Sequence, residues 1–132
     1  MGKPSIDEVI KTSKVIIHSG RYAYLKMREK SLNNHFLVSQ DKEEITVITE
    51  EKNLEGVKYL DIVRWFKMIE IQVSVPFLQG FLSRVIRPIA DAGYNTLIVS
   101  TFSKDYILTR EENIEKVAKI LRGTGFEVII EG

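Results

Sequence analysis

Hydrophobic and polar residues alternate strictly between positions 69 and 72. Ile69 and Ile71 share one face of an extended chain, while Glu70 and Gln72 share the other. A period of two residues is typical of a strand that is buried on one side. The pattern therefore predicts a half-buried strand over residues 66–73.

The period changes to that of a helix directly after this strand. Apolar residues recur at every fourth position, at Phe77, Phe81, Val85 and Ile89. Pro76 suits the first turn, where amide hydrogens have no intrahelical partner, and Gly93 is a typical helix end. Pro88 cannot donate to the carbonyl of Arg84, so we expect a kink about one turn before the end. The pattern predicts an amphipathic helix over residues 76–92.

Two short apolar segments follow that helix. Residues 96–101 and 105–109 are rich in β-branched, aromatic and hydroxyl residues, which is typical of strands. Ser103 and Lys104 are expected to form the turn between them. The hairpin therefore carries a carboxylate, Asp105, where its second strand begins.

A second helix and a closing strand complete the order. Thr109 and Glu112 match the T-x-x-E capping box, and the amphipathic pattern after them ends at Gly123. Residues 126–130 predict the last strand. The order β-α-β-β-α-β is that of the ferredoxin-like split βαβ unit, in which two helices cover one face of a four-stranded antiparallel sheet. The predicted fold class is an α+β, ferredoxin-like sandwich.

The first half of the chain predicts four strands and no long helix. The strands are VIIHS, YAYLKM, FLVSQ and EITVITEE, with turns at Gly20 and at residues 40–42. REKSLNN and EKNLEGVKYL are too short and polar for more than a helical turn or a loop. This half is either a second, worn copy of the same unit with reduced helices or an extension of one larger sheet. No low-complexity linker separates the halves, so we expect them to pack closely.

Composition excludes several classes of partner. Lys and Arg total 19 against 18 for Asp and Glu, so the net charge of +1 gives no general attraction to nucleic acid or to an anionic membrane. No apolar run is long enough to span a bilayer, and the N-terminus lacks the pattern of a secretory signal. A cytoplasmic location is therefore expected. Because the chain has no cysteine, disulfides, thiolate metal sites and cysteine nucleophiles are excluded.

Several runs together match a known family pattern. They are Glu44–Ile48, Trp65, Gly80, Pro88–Ala90 and the S-T-x-x-x-D-Y-I-L run at Ser100–Leu108. With these runs the sequence resembles the ACT domain, a small regulatory βαββαβ module that binds amino acids. From about residue 20 onward it is similar to the short tandem-ACT proteins grouped with aspartate-kinase regulatory regions and eukaryotic cytosolic arginine sensors. The Ser100–Leu108 run, at the family's distance from Gly80, is the specific part.

The resemblance implies a division into modules. We expect an N-terminal tail over residues 1–12, a first, degenerate ACT-like module over 13–65 and a second over 66–132. The two modules are expected to pack together. In the family pattern a glycine, here Gly80, lies several residues into the first helix of the module.

The resemblance also implies a ligand site where the loop that leads into this helix faces a strand. The implied ligand-binding residues are Val75, Pro76, Phe77, Gln79, Gly80, Thr101, Phe102, Ser103 and Asp105. The unpaired amides of a helix N-terminus suit a carboxylate, and Gly80 lets a small molecule approach the backbone. Thr101 and Ser103 can donate hydrogen bonds, while Asp105 can accept one from an ammonium group. This set would recognise both charged ends of a free amino acid.

Plainer interpretations stand beside these roles. Asp105 could be a solvated turn carboxylate, and Gly80 could only allow close packing of helix and sheet. The aromatic residues Phe77, Phe81 and Phe102 are more typical of a core than of ligand stacking. The two histidines do not have the spacing of metal ligands, so no metal site and no cofactor are predicted.

One departure from the family pattern concerns the start of the helix. Relatives commonly have an Asp-Phe-Ser type of sequence there, and Val75–Gln79 replaces it. Phe77 keeps the aromatic position, but the acid and the hydroxyl are absent. The ligand of this protein could therefore differ from that of relatives, or binding could be lost.

Two functional hypotheses follow. The first is a regulatory protein that binds an amino acid or a similar small zwitterion, and that signals through self-association or by docking to a metabolic enzyme. The resemblance implies a homodimer. The second is a non-catalytic protein-protein interaction module with no ligand. No catalytic triad, phosphate-binding loop or dinucleotide motif is present, so enzyme activity is not expected.

Overall fold

The chain folds into two compact units, each of which contains part of a sheet. The computed structural model describes residues 2, 4–30, 34–75 and 78–132. The larger unit comprises Met1–Ser19 together with Lys67–Gly132, and the smaller unit comprises Gly20–Phe66.

The described residues contain three α-helices, seven strands and two single turns of 3-10 helix. The helices are α1 (Ile6–Thr12), α2 (Phe81–Asp91) and α3 (Ile114–Thr124). The strands are β1 (Lys14–Met27), β2 (Leu37–Gln40), β3 (Ile45–Glu50), β4 (Asp61–Gln72), β5 (Thr96–Ser100), β6 (Asp105–Arg110) and β7 (Glu127–Ile130). The 3-10 turns cover Glu51–Asn53 and Glu111–Asn113.

The sheet of the larger unit has the strand order β7–β1–β4–β6–β5. β5 and β6 pair antiparallel with Ser100 opposite Asp105, so the predicted hairpin and its turn are confirmed. The order β4-α2-β5-β6-α3-β7 is the predicted β-α-β-β-α-β, and the ferredoxin-like fold class is confirmed. The sheet has one strand more than predicted, because β1 lies between β7 and β4 and pairs parallel with β7 over Lys14–Ile17.

The compact units do not follow the order of the chain. The predicted boundaries placed residues 13–65 in one module and 66–132 in the other. In the structure Val15 and Ile17 are buried in the core of the larger unit, on the strand that pairs with β7. Whether the two units are separate ACT-like modules stays a prediction.

One face of the larger sheet is apolar and packs against the helices. Ile69, Ile71 and Ile107 on this face are fully buried. The helices contribute Phe81, Val85 and Ile89 from α2, and Val117, Ala118 and Leu121 from α3. The apolar faces predicted for both helices are confirmed at these positions, while Phe77 lies outside the described residues.

The N-terminal residues form a helix that the sequence analysis assigned to a tail. Ser5 caps α1 by accepting a hydrogen bond of 3.1 Å from the amide of Glu8. Val9 and Ile10 then lie buried in the core of the larger unit. The S-x-x-E pattern before two apolar residues is a helix-start signal, so this helix was predictable.

Helix α2 begins later than predicted. It starts at Phe81, and Gly80 is its N-cap, with a left-handed backbone at φ 80°. The prediction that Gly80 lies inside the helix is therefore wrong, because the chain turns at this residue before the helix begins. The end is as predicted, since Gly93 follows the cap residue with φ 91° and Tyr94 donates to the carbonyl of Ile89. The kink at Pro88 stays a prediction.

Both predicted ends of α3 are wrong by a few residues. Thr109 is buried within β6, and Asn113 occupies the cap position of α3 without a side-chain hydrogen bond, so no capping box forms. The helix runs through Gly123 and ends before Gly125, whose φ of 119° is the left-handed conformation that closes a helix. Gly123 was mistaken for the end because either glycine fits the pattern.

The smaller unit is built from strands with the order β2–β3–β1–β4. Its core contains Ala23, Leu25 and Met27 from β1 with Ile45 and Val47 from β3. Between residues 20 and 66 the described part of the chain has no α-helix, which fits the reduced helices that were predicted.

The two turns predicted in this part of the chain have different outcomes. At residues 40–42 the turn is confirmed, because the carboxylate of Asp41 accepts hydrogen bonds of 2.8 and 2.9 Å from the amides of Glu43 and Glu44. At Gly20 it is wrong, because β1 runs straight through this residue. The side chain of Glu50 occupies the space beside Gly20, so a close approach and not a turn accounts for the glycine.

Substitution of the two glycines near the end of α3 tests where this helix stops. Gly125→Ala is expected to lower the free energy of unfolding by about 1 kcal/mol or more, because a side chain disfavours the left-handed conformation. Its Cβ would also lie 3.3 Å from Ile10 Cγ2. Gly123→Ala is expected to raise the free energy of unfolding by about 0.5–1 kcal/mol, because the position is helical and open. Urea denaturation of both variants measures this, and the opposite order would place the end at Gly123.

Candidate functional site

A pocket opens in the larger unit where the first turn of α2 faces the β5–β6 hairpin. Its volume is about 350 Å³. The residues that line it are Val73, Leu78, Gly80, Phe81, Leu82, Ser83, Ser100, Thr101, Phe102, Ser103, Lys104 and Asp105. Two segments far apart in sequence therefore meet at one cavity.

The structure brings together five of the nine residues predicted for the site. They are Gly80, Thr101, Phe102, Ser103 and Asp105. Val75 is half-buried against the hydrophobic core and Gln79 is exposed, and neither lines the pocket. Pro76 and Phe77 lie outside the described residues.

The first turn of α2, which borders the pocket, has free backbone amides. The amide of Phe81 donates to the carbonyl of Leu78 at 3.3 Å, and the amide of Arg84 donates to the carbonyl of Gly80 at 3.0 Å. Among the described residues the amides of Leu82 and Ser83 have no acceptor. This turn carries no acidic side chain. The partial positive charge of the helix N-terminus is therefore not neutralised within the helix.

The hairpin holds a carboxylate on the other side of the pocket. Asp105 is half-buried, and its Oδ1 accepts a hydrogen bond of 2.7 Å from the hydroxyl of Ser100. The amide of Thr101 donates to the carbonyl of Lys104 at 2.8 Å, which closes the turn. In the described part of the chain, Oδ2 of Asp105 accepts no hydrogen bond. One carboxylate oxygen thus fixes the side chain, and the other is available.

Phe102 lies at the tip of the hairpin and is 93% exposed. The interpretation of this residue as core is therefore wrong, because the turn directs it away from the packed face of the sheet. Phe81 is buried and contacts Phe126 edge-on, with 6.0 Å between the ring centroids. The core interpretation is thus right for Phe81, which borders the pocket from inside the fold.

A buried carboxylate beside the hairpin was missed by the sequence analysis. Glu70 lies on the face of β4 opposite Ile69, as the alternation predicts, but only 5% of it is exposed. Its Oε2 accepts a hydrogen bond of 2.8 Å from Gln72, and its Oε1 lies 2.9 Å from Nε2 of His18. Nζ of Lys104 lies 3.5 Å from Oε2. Periodicity shows which face a residue occupies and does not show what covers that face.

Hydrogen bonds and charge decide the protonation of this buried acid. Burial by itself raises the pKa of Glu70, but hydrogen bonds from Gln72 and His18 and the positive charge of Lys104 outweigh it. The pKa of Glu70 therefore lies below its ordinary value. Burial, and then the negative charge of Glu70, raise the pKa of Tyr106. Glu70 is thus ionised at neutral pH and holds Lys104 by charge.

The described residues do not bring together three or more metal-ligating side chains that could hold an ion. His18 is engaged with Glu70, and Nδ1 of His35 lies 2.7 Å from the hydroxyl of Thr49. Within the same residues, the helices are too short or too polar to cross a membrane.

Comparison with protein families identifies the segment that contains this pocket. Residues 62–123 match the model of the ACT domain family. This segment is therefore similar to the ACT domain, and the resemblance to ACT proteins that the sequence predicted is confirmed. No curated protein sequence gives a significant match to the chain.

Solved structures show the same fold at low sequence identity. A Vibrio cholerae protein of unknown function, described as a possible transport protein, has a TM-score of 0.77 and 13% identity over 90% of this chain and 94% of its own. An Agrobacterium tumefaciens protein has a TM-score of 0.71 and 20% identity, covering 91% and 94%. The ligand-free regulatory subunit of aspartate kinase from Thermus thermophilus has a TM-score of 0.60 and 8% identity, covering 84% and 96%. At these identities the likeness concerns the fold.

Substitution of Glu70 tests the buried carboxylate cluster. A carboxylate with a lowered pKa stabilises the fold above its unfolded pKa, and this contribution is lost as pH falls through the folded pKa. Glu70→Gln is therefore expected to lower the free energy of unfolding by about 1–3 kcal/mol at pH 7. The difference from the unsubstituted protein should shrink as pH falls below the ordinary value of 4.5. Urea denaturation between pH 7 and pH 3 measures it.

Glu127→Gln is the matched control, because Glu127 is an exposed carboxylate on β7. We expect almost no change of stability for this variant at any pH. A Glu70→Gln effect that is absent at pH 7, or that does not change with pH, would contradict the account of the cluster.

Proposed function

We propose that this protein binds a free amino acid in the pocket between α2 and the β5–β6 hairpin and acts as a regulatory protein. The observation that carries the proposal is the meeting of two complementary groups at one cavity. These are the free first-turn amides of α2 and the available oxygen of Asp105. Both lie within the segment that matches the ACT domain family.

The two groups suit the two charged ends of an amino acid. The α-carboxylate would accept hydrogen bonds from the amides of Leu82 and Ser83 at the positive end of the helix. The α-ammonium would donate to Oδ2 of Asp105 with the strength of a charge-assisted hydrogen bond. Gly80 lines the pocket as well, in the left-handed conformation that turns the chain into the helix. The hydroxyl of Ser103 supplies a further donor at the rim, whereas the hydroxyl of Thr101 donates to the carbonyl of Lys104 at 3.3 Å.

Named relatives support a regulatory role. The aspartate kinase of Clostridium acetobutylicum is described as an allosteric enzyme, and the Thermus thermophilus neighbour is a regulatory subunit. ACT domains commonly bind amino acids and are regulatory modules. The proposal therefore assigns this chain a regulatory role without a catalytic step, in the cytoplasm.

The signal is proposed to pass through self-association or through docking to a metabolic enzyme. ACT modules commonly associate side by side, so the proposed assembly is a homodimer. Size-exclusion chromatography with light scattering is expected to give the mass of two chains. A single-chain mass with and without amino acids would contradict the homodimer.

A second candidate is a protein-protein interaction module that binds no small molecule. The observation in its favour is the large exposed side chain of Phe102 beside the pocket. The altered sequence Val75–Gln79, which lacks the acid and hydroxyl of relatives, points the same way. This candidate predicts a pocket without affinity for amino acids.

Thermal denaturation against the twenty amino acids separates the two candidates. A ligand that binds only the folded state stabilises it by mass action and therefore raises the melting temperature. At a hundredfold excess over its dissociation constant, the stabilisation is about 2.7 kcal/mol. We expect a shift of a few degrees for one or a few amino acids. Asp105→Asn should abolish the shift, because it removes the charge that the ammonium requires.

Asp91→Asn is the matched control, since Asp91 is exposed at the end of α2 and its partner is Arg87 on the same helix. This variant should keep the full ligand shift. No response to any amino acid in the unsubstituted protein favours the interaction module. Equal loss of the ligand shift in both variants would contradict the role assigned to Asp105.

A further inference from the structure

We infer that the pocket selects amino acids with apolar side chains, an inference that rests on the proposed function. A charged amino acid offers three charged groups to the site, whereas an apolar one offers only its carboxylate and ammonium. The selectivity therefore depends on what the pocket provides for the side chain.

Five apolar side chains line the pocket, namely Val73, Leu78, Phe81, Leu82 and Phe102. Beyond the two polar anchors, the polar members of the lining are the hydroxyls of Ser100, Thr101 and Ser103 and the ammonium group of Lys104. Val73 and Leu78 are half-buried and pack against the hydrophobic core, so their positions are fixed by the fold. Phe102 stands at the rim with almost all of its ring in solvent. An apolar ligand side chain would remove these surfaces from water, which is favourable in proportion to the area covered.

Among the described residues, two charged side chains line the pocket, and each already has an assignment. The free oxygen of Asp105 is assigned to the ammonium group of the ligand. The ammonium group of Lys104 lies 3.5 Å from the ionised, buried carboxylate of Glu70. Lys104 is thus held by a charge outside the pocket lining. An acidic ligand side chain would have to compete with Glu70 for it.

The described lining residues offer no second negatively charged group to a basic ligand side chain. In the part of the lining that the structure describes, Asp105 is the single carboxylate, and the α-ammonium group occupies it under the proposed function. A lysine or arginine side chain would then lie against apolar surface and the positive end of α2. Desolvation of a charge without a partner is costly, so basic amino acids are disfavoured.

The size of the cavity favours a large apolar side chain over a small one. A volume of about 350 Å³ lies within the range of small-molecule sites. Glycine or alanine would leave the apolar lining in contact with water. Leucine, isoleucine, methionine and phenylalanine place a side chain against it.

Calorimetric titration of the full chain with matched pairs of amino acids tests this selectivity. Leucine is compared with aspartate, which has a similar branched shape, and methionine is compared with lysine, which has a similar length. We expect the apolar member of each pair to bind about tenfold tighter or more. Glycine should bind more weakly than leucine.

The Phe102→Ser variant adds a readout at an exposed position, where loss of folding is not expected. The substitution should weaken the binding of leucine about threefold or more and leave the affinity for aspartate unchanged. Val38→Ser is the matched control, because Val38 is an exposed apolar residue of the smaller unit and should change neither affinity.

The outcomes separate this inference from the proposed function. If a charged amino acid binds as tightly as its apolar counterpart or more tightly, the selectivity is overturned and amino-acid binding stands. Equal weakening of leucine and aspartate by Phe102→Ser also overturns it. If no amino acid binds at all, both the selectivity and the proposed function are overturned.

Discussion

The pocket exists because a strongly apolar sheet face has to be covered. Ile69, Ile71 and Ile107 have no exposed surface, and burial of each such side chain contributes about 1.5–3 kcal/mol. Helices α2 and α3 cover this face with one apolar stripe each. Since α2 packs on the sheet, its first turn lies close to the turn between β5 and β6. The packing thus sets a helix N-terminus opposite a carboxylate.

The same constraint explains what could be predicted from the sequence. Apolar periodicity reports burial directly, so the faces of α2 and α3 and the β5–β6 hairpin were predictable. Helix ends depend on single backbone conformations, and glycine signals them ambiguously. Gly80 therefore proved to be a cap and not an interior residue, and Gly125 rather than Gly123 ends α3. Of the predicted site, the hairpin residues and Gly80 line the pocket, whereas Val75 and Gln79 do not.

Glu70 shows why the remainder could not be predicted. Its partners come from three different segments of the chain, namely β1, β4 and the hairpin turn. Pairing of this kind depends on strand order. In this sheet β1 lies between β7 and β4, which places it next to the strand that carries Glu70. No local pattern contains that information. The consequence reaches the pocket, since Glu70 holds Lys104 and leaves Asp105 as the carboxylate available to a ligand.

The central claim is that the first turn of α2 and Asp105 bind the two ends of one amino acid. Amide NMR spectra recorded during titration with leucine test it most directly. The account predicts the largest shifts at the amides of Leu82, Ser83 and residues 101–105, with the α2 amides moving as a carboxylate accepts from them. Saturable shifts that are confined to other parts of the chain would contradict this claim. The absence of any shift with leucine or another amino acid at millimolar concentration would contradict it as well.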